Sequence, residues 1–291
     1  MRTVSIIGVG RVGGALAIAL DRAGFAVDTL VYRSTEAIGN VTSLLSRQPK
    51  LSSWENLLEI DSEVLIIASG DPEIAVIAEK IAGFDKRPVV AFHTSGSLSS
   101  DILSPLRDKG VYSGSIHPLV SISDPVIGAE RFSGSYFCIE GDKDALAVAE
   151  LMVEQLGGRS FSIETADKPL YHASAVTACG HLVALIDVAT EMLSKCGMSN
   201  AQAKTVLMPL IESTLANLKI QDAKDALTGT FARGDIDAFK RHLAAFEGRI
   251  SDEDREIYLL LGQRSIEIAM RGEDALPDFA EAILIAKQKH G

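Results

Sequence analysis

Residues Thr3 to Ala23 read TVSIIGVGRVGGALAIALDRA, and the order of residue types in this stretch decides the fold. A β-branched apolar run from Thr3 stops at Gly8, and from Val12 apolar residues recur at helical spacing until Gly24 ends the segment. A second apolar run, Ala26 to Tyr32, returns as the parallel strand of a βαβ unit. The intervening glycines have the spacing G-x-G-x-x-G, which is weak alone and informative only between a strand and a helix. Placed there, Gly8 permits the tight turn, Gly10 lets the backbone approach a pyrophosphate, and Gly13 lets helix and strand pack closely. The N–H groups of Arg11, Val12 and Gly13 then open the helix toward an anion.

The next decisive residue stands where the second strand ends. A unit that binds NAD carries Asp or Glu there, roughly 20 residues beyond the glycines, to hold the ribose 2′-hydroxyl. This chain reads VYRSTE, with Arg33 in that place. A guanidinium pairs with a 2′-phosphate and stacks on adenine, and Ser34 adds a hydroxyl, so the expected cofactor is NADP.

Further alternation extends the sheet. EVLIIASGDPEIAVIAEKIAG reads as a buried strand, a turn and a helix, with Asp71 as N-cap and Pro72 at the first helical position. PVVAFHTSGSLSSDILSPL repeats the pattern, VYSGSIHP and SYFCIEG supply two more strands, and a helix from Asp144 to Leu156 leads to a short SFSIE strand. The expected architecture is an α/β doubly wound parallel sheet over residues 1–164, followed by an all-α domain over residues 165–291. Ligands of such sheets sit beyond the carboxyl ends of the strands. Ser69 and His93 fall there as candidate cofactor contacts, Ser95 as a substrate contact and His117 as a catalytic residue.

From Ala166 the pattern changes to one helix of about 30 residues, near 45 Å at the standard rise, ended by Gly197. Its apolar character on most sides predicts the buried central element of an all-α domain or of a dimer. Lys168, His172 and Cys179, spaced by four and then seven residues, share one stripe of it. A lysine or histidine at the domain junction can give a proton to a carbonyl or imine as hydride arrives, which makes Lys168 and His172 candidate catalytic residues. A second helix spans about Ser199 to Lys219, with Pro209 inside it. The loop DALTGTFARGD then feeds a helix capped by Asp235, and Thr228 and Arg233 in that loop are candidate contacts for a substrate carboxylate.

Composition narrows the class of partner. The chain of 291 residues is 47% hydrophobic, and its 28 basic and 39 acidic residues leave a formal charge of -11 with no long run of either sign. That balance argues against nucleic acid and anionic membrane and for a small-molecule substrate. Cys138, Cys179 and Cys196 form neither a disulfide framework nor a metal spacing, which fits a reducing, cytoplasmic setting with no metal. The first residues already read as a strand, so no signal peptide is expected.

The stretches GVGRVG, HTSGSLSSDIL, GSIHPLVSI, KPLYHASAV, LMPLIESTLAN and ALTGTFARGD together resemble Rossmann-like proteins with a C-terminal helical domain of unknown function, number 2520. Members are described as NADP-dependent oxidoreductases. More distantly the chain is similar to pyrroline-5-carboxylate reductase, ketopantoate reductase and the β-hydroxyacid dehydrogenases, which are often dimeric. The last group carries a catalytic lysine in the first helix after the Rossmann domain, where Lys168 stands, and an asparagine one turn later, where His172 stands. Two departures are Gly180, where the family pattern has Asn, and Thr230, where it has Pro. The resemblance implies an NADP(H)-dependent reductase of a small oxo acid or imine, dimeric through its helical domain. A prephenate-type dehydrogenase using NAD, and a non-catalytic NADP(H)-sensing protein, are the alternatives.

Overall fold

The computed structural model describes residues 2–33, 35–271 and 277–288. Strand β1 (Thr3–Ile7), helix α1 (Arg11–Arg22) and strand β2 (Ala26–Tyr32) form the expected βαβ unit, with β2 parallel to β1. There follow α2 (Thr35–Thr42), β3 (Lys50–Ser53), β4 (Val64–Ile67), α3 (Asp71–Ala82), β5 (Val90–His93) and α4 (Ser104–Arg107). The sheet region closes with β6 (Tyr112–Leu119), α5 (Pro125–Arg131), β7 (Tyr136–Gly141), α6 (Lys143–Gln155) and β8 (Arg159–Phe161).

All eight strands join one sheet in the order β3-β2-β1-β4-β5-β6-β7-β8. From β3 to β6 this is the doubly wound order, with its switch point between β1 and β4. The sheet is mostly rather than wholly parallel, because β7 runs antiparallel to β6. Gly114 and Gly141 face each other across that pair, and a Cβ on Gly141 would lie 2.5 Å from the Ser113 carbonyl oxygen. Only a glycine permits so close an approach of two backbones. Strand β3 has no alternating pattern to announce it; Lys50 to Ser53 becomes a strand because the free edge of β2 offers backbone partners.

Packing follows the apolar runs. All four residues of β4 are buried, as expected of a parallel strand covered on both faces. Helix α1 buries the continuous stretch from Gly13 to Leu20. Its small residues admit α5 closely: a Cβ on Gly14 would stand 3.1 Å from Pro125, and one on Gly128 3.1 Å from the Ala15 methyl. The start of α3 differs from the sequence reading. Gly70 is the N-cap and Asp71 the first helical residue; the Asp71 carboxylate accepts instead from the Ser97 hydroxyl at 2.8 Å.

The chain divides into two compact units, Met1–Cys179 and Gly180–Gly291, and helix α7 (Lys168–Ser194) runs through the division. The second unit holds α8 (Asn200–Leu218), α9 (Ala223–Ala226), α10 (Ile236–Phe246), α11 (Asp252–Ala269) and α12 (Pro277–Gln288). Ser199 and Gln202 cap α8 reciprocally, Pro209 lies inside that helix, and Asp235 caps α10 by accepting from the Ala238 amide at 2.9 Å. An aromatic core of Phe231, Phe239, Tyr258 and Phe279 holds α10, α11 and α12 together, with ring centroids 5.3 Å apart for Phe239 and Phe279. Gly262 makes room for it, since a Cβ there would meet the Phe231 ring at 2.6 Å.

Helix α7 is long and apolar, with a mean hydropathy of 1.5 over its best window, yet few of its residues are buried. Leu170 is 73% and Val183 66% exposed. The sequence reading of a buried central helix thus does not hold within one chain, because these side chains find no cover there. Length and composition of this kind are shared by membrane spans and by interface helices of soluble proteins.

Candidate functional site

The glycine loop is built as a cradle. Gly8 has φ +94°, in the left-handed region, and a Cβ on it would lie 2.7 Å from the Ala68 carbonyl oxygen. Gly13 sits so close to the loop that a Cβ would stand 2.1 Å from the Gly8 carbonyl oxygen. Around Gly10 a Cβ would meet nothing within 4 Å, so the backbone there faces open space. Gly10 is also the N-cap of α1; no side chain caps the helix and no acidic residue enters its first turn. The first-turn amides, Arg11 to Gly13, are therefore left for an external anion.

Beside the cradle lies a cavity of about 280 Å³ lined by Gly8, Gly10, Arg33, Trp54, Ser69 and Glu73 among others. Arg33 stands at the end of β2, exposed, in an ion pair with Glu73. The Ser69 hydroxyl is buried without a hydrogen-bond partner among the described residues. An uncapped helix start, open backbone at Gly10 and an orphaned hydroxyl at the rim are the features a bound dinucleotide would use, so the residues present fit that group. Ser34 lies outside the described residues.

The second cluster gathers at the ends of β5 and β6. His93 is wholly buried; its Nδ1 accepts from the Ser95 amide at 3.2 Å and its Nε2 lies 3.1 Å from the Ser99 carbonyl oxygen. Both ring nitrogens thus shape the loop after β5, and Nε2 carries the proton. The Ser95 hydroxyl accepts from the amides of Ser97 and Leu98, at 3.2 and 3.1 Å, which tightens the same loop. Lys168, also 0% exposed, is no surface lysine: Nζ donates to Ser115 Oγ at 2.5 Å and to the Ser95 carbonyl at 3.3 Å. Burial lowers its pKa, and Glu140 opposes the shift. From the sequence Lys168 reads as an acid at the mouth of the site; in the structure its amine lies beneath the rim, joining β5 to β6.

Above it, His117 Nδ1 lies 2.6 Å from the Tyr171 hydroxyl, and the ring centroids of His117 and His172 are 5.9 Å apart. Gly96 allows this crowding: a Cβ there would stand 2.5 Å from His172 Cδ2 and 2.9 Å from His117 Nε2. Burial raises the Tyr171 pKa, so the phenol stays protonated. Burial first, and then His172 and the Lys168 charge, bring His117 down to about 4. Burial and then Lys168 bring His93 to about 4 as well. The unfolded chain therefore binds protons that the folded one refuses between an ordinary histidine value of 6.5 and about 4. Stability should fall as pH drops through that window. Thermal melts at pH 7 and pH 4.5 are expected to show His117→Gln losing roughly 2 kcal/mol less than wild type. Equal losses would mean that His117 is not held neutral.

Thr228 and Arg233 are exposed residues of the second compact unit. Sequence reasoning missed Ser115, Tyr171, Trp54 and Glu73. Ser115 was within reach, since alternation puts it on the same face of β6 as His117. No pattern announced the others.

Fold and cradle define a protein of the dinucleotide-binding Rossmann-like class. Residues 1–118 match the family model of the Rossmann-like domain and residues 135–265 that of a domain of unknown function (DUF2520), so the chain joins these two domains. No curated protein matches it. Among solved structures it is similar to a "putative NADP oxidoreductase" of Bacteroides fragilis at 22% identity and TM-score 0.74, covering 91% of this chain and 98% of that one. A Thermotoga maritima protein is similar at 23% identity and TM-score 0.69, over 92% and 99% of the two chains. The reductive aminase of Aspergillus terreus, in complex with NADPH and ethyl levulinate, is similar at 16% identity and TM-score 0.62, over 98% and 99%. At such identities the likeness is one of fold.

Proposed function

We propose that the chain is an NADP(H)-dependent oxidoreductase acting on a small oxo acid or imine. One observation carries the reading. A dinucleotide cradle at the ends of β1 and β4 and a cluster of His117, Tyr171, His172 and Lys168 at the ends of β5 and β6 share one sheet rim. When bound, the cofactor supplies hydride chemistry. Arg11 to Gly13 would hold its pyrophosphate, Arg33 its 2′-phosphate, and Ser69 the face toward the reacting ring. That the reductive aminase binds NADPH and a keto ester in the same fold supports the substrate class.

In this reading the Tyr171 hydroxyl donates to His117 Nδ1, which leaves the proton on Nε2, the nitrogen beside Gly96. His117 then presents N–H to a substrate oxygen or nitrogen, with His172 flanking it. Lys168 acts through Ser115 and Ser95: its charge lies beneath the site and favours negative charge developing above it. Exposed apolar residues of α7 and α8, among them Val183, Val206 and Leu210, support a homodimer formed through these helices.

The test is direct titration with NADPH and NADH. Arg33→Ala is expected to weaken NADPH binding about tenfold or more, the cost of a charge-assisted contact with phosphate, and to move NADH less than twofold. Equal loss for both would remove Arg33 from the 2′-phosphate site, and no binding of either by the wild type would end the NADP(H) reading.

A further inference from the structure

We infer that Glu73 sets the balance between NADP(H) and NAD(H) by competing with the 2′-phosphate for the Arg33 guanidinium. This rests on the NADP(H) reading and deepens it. Glu73 lies in the first turn of α3, 40 residues beyond Arg33 in sequence, and the two side chains pair in the lining of the cavity beside the glycine loop. Arg33 is the one cation and Glu73 the one anion among the described residues that line it. The neighbouring Lys80 is turned to Trp54, donating to its carbonyl at 3.3 Å with Nζ 5.0 Å over the indole.

A 2′-phosphate needs the guanidinium that Glu73 already holds. To reach it, the phosphate must displace the carboxylate from the guanidinium, and at so exposed a pair that exchange of partners outweighs the screened repulsion between the two anions. A dinucleotide without that phosphate leaves the ion pair intact. The carboxylate therefore weakens NADPH and spares NADH. The pair is open to solvent, with side chains 65% and 31% exposed, which keeps the effect modest and lets an incoming ligand exchange partners. Glu55 adds a second carboxylate within range of Arg33 but forms no ion pair with it among the described residues; a backbone hydrogen bond, then Ser53, and then Arg33 and Lys80 lower its pKa.

The experiment reads dissociation constants, not turnover. Trp54 is the only tryptophan and lines the cavity, so quenching of its emission reports binding of NADPH and NADH. Glu73→Gln is expected to tighten NADPH about fivefold and leave NADH within twofold. In an Arg33→Ala background the same substitution should leave the ratio of the two constants within twofold, and Glu55→Gln should also leave it so. An unchanged ratio in Glu73→Gln, an equal shift without Arg33, or an equal shift from Glu55→Gln would each overturn the inference while NADPH binding itself stands. If wild type binds neither dinucleotide, both readings fall together.

Discussion

Gly13→Ala should melt well below the wild type and bind dinucleotide about a hundredfold more weakly. The added methyl would lie 2.1 Å from the Gly8 carbonyl oxygen and 3.0 Å from the Ala68 Cβ, so the clash is with backbone rather than with the end of a flexible side chain. Relief requires α1 to move off β1. That motion opens the packing of a helix buried from Gly13 to Leu20, at a cost of about 3 kcal/mol, or roughly 6 to 12 °C for a unit of this size. It also shifts the helix start that faces the anion, and placement of that start is what binds pyrophosphate. Gly10→Ala separates the two effects. Nothing lies within 4 Å of its added methyl, so the melt should stay within about 2 °C of wild type while dinucleotide binding still falls. Scanning fluorimetry and titration of both variants test this, and a Gly13→Ala protein that melts with the wild type would show that the loop is not packed as described.

Lys168→Met should lower turnover at least about a hundredfold across a panel of small oxo acids and imines, with the NADPH dissociation constant within threefold of wild type. Methionine fills the volume of the buried chain but removes the donor to Ser115 and to the Ser95 carbonyl. It also removes a charge that adds, after burial and His172, to the downward shift of His117. The acid limb of the pH–rate profile should therefore move to higher pH, because losing a nearby cation raises a histidine pKa. A lysine that only packs would leave that limb in place. Turnover within a few-fold of wild type, with an unmoved acid limb, would sink the assignment.

Much of the fold was legible because its signals are local. The glycine spacing, the apolar run of β4, the Asp235 cap and the change at Ala166 each depend on residues within a few positions of one another. The polarity of β7 and the existence of β3 were not legible, since both depend on which backbone edge lies alongside. Nor was the cover of α7, whose apolar residues suggest burial but are left exposed by a single chain.

For the site the division is the same. The sequence by itself determined that a dinucleotide-type loop stands at the first strand and that polar residues end the later ones, because strand alternation and helix period are properties of consecutive residues. Only the tertiary structure decided what those residues do. It drew Lys168 under the rim to Ser115, 53 positions away, set Tyr171 on His117 across 54, and paired Arg33 with Glu73. It also folded His93 into its own loop, with both nitrogens bound within six residues. The first three contacts join helices to strand ends far apart in the chain, bringing together side chains which no local pattern links.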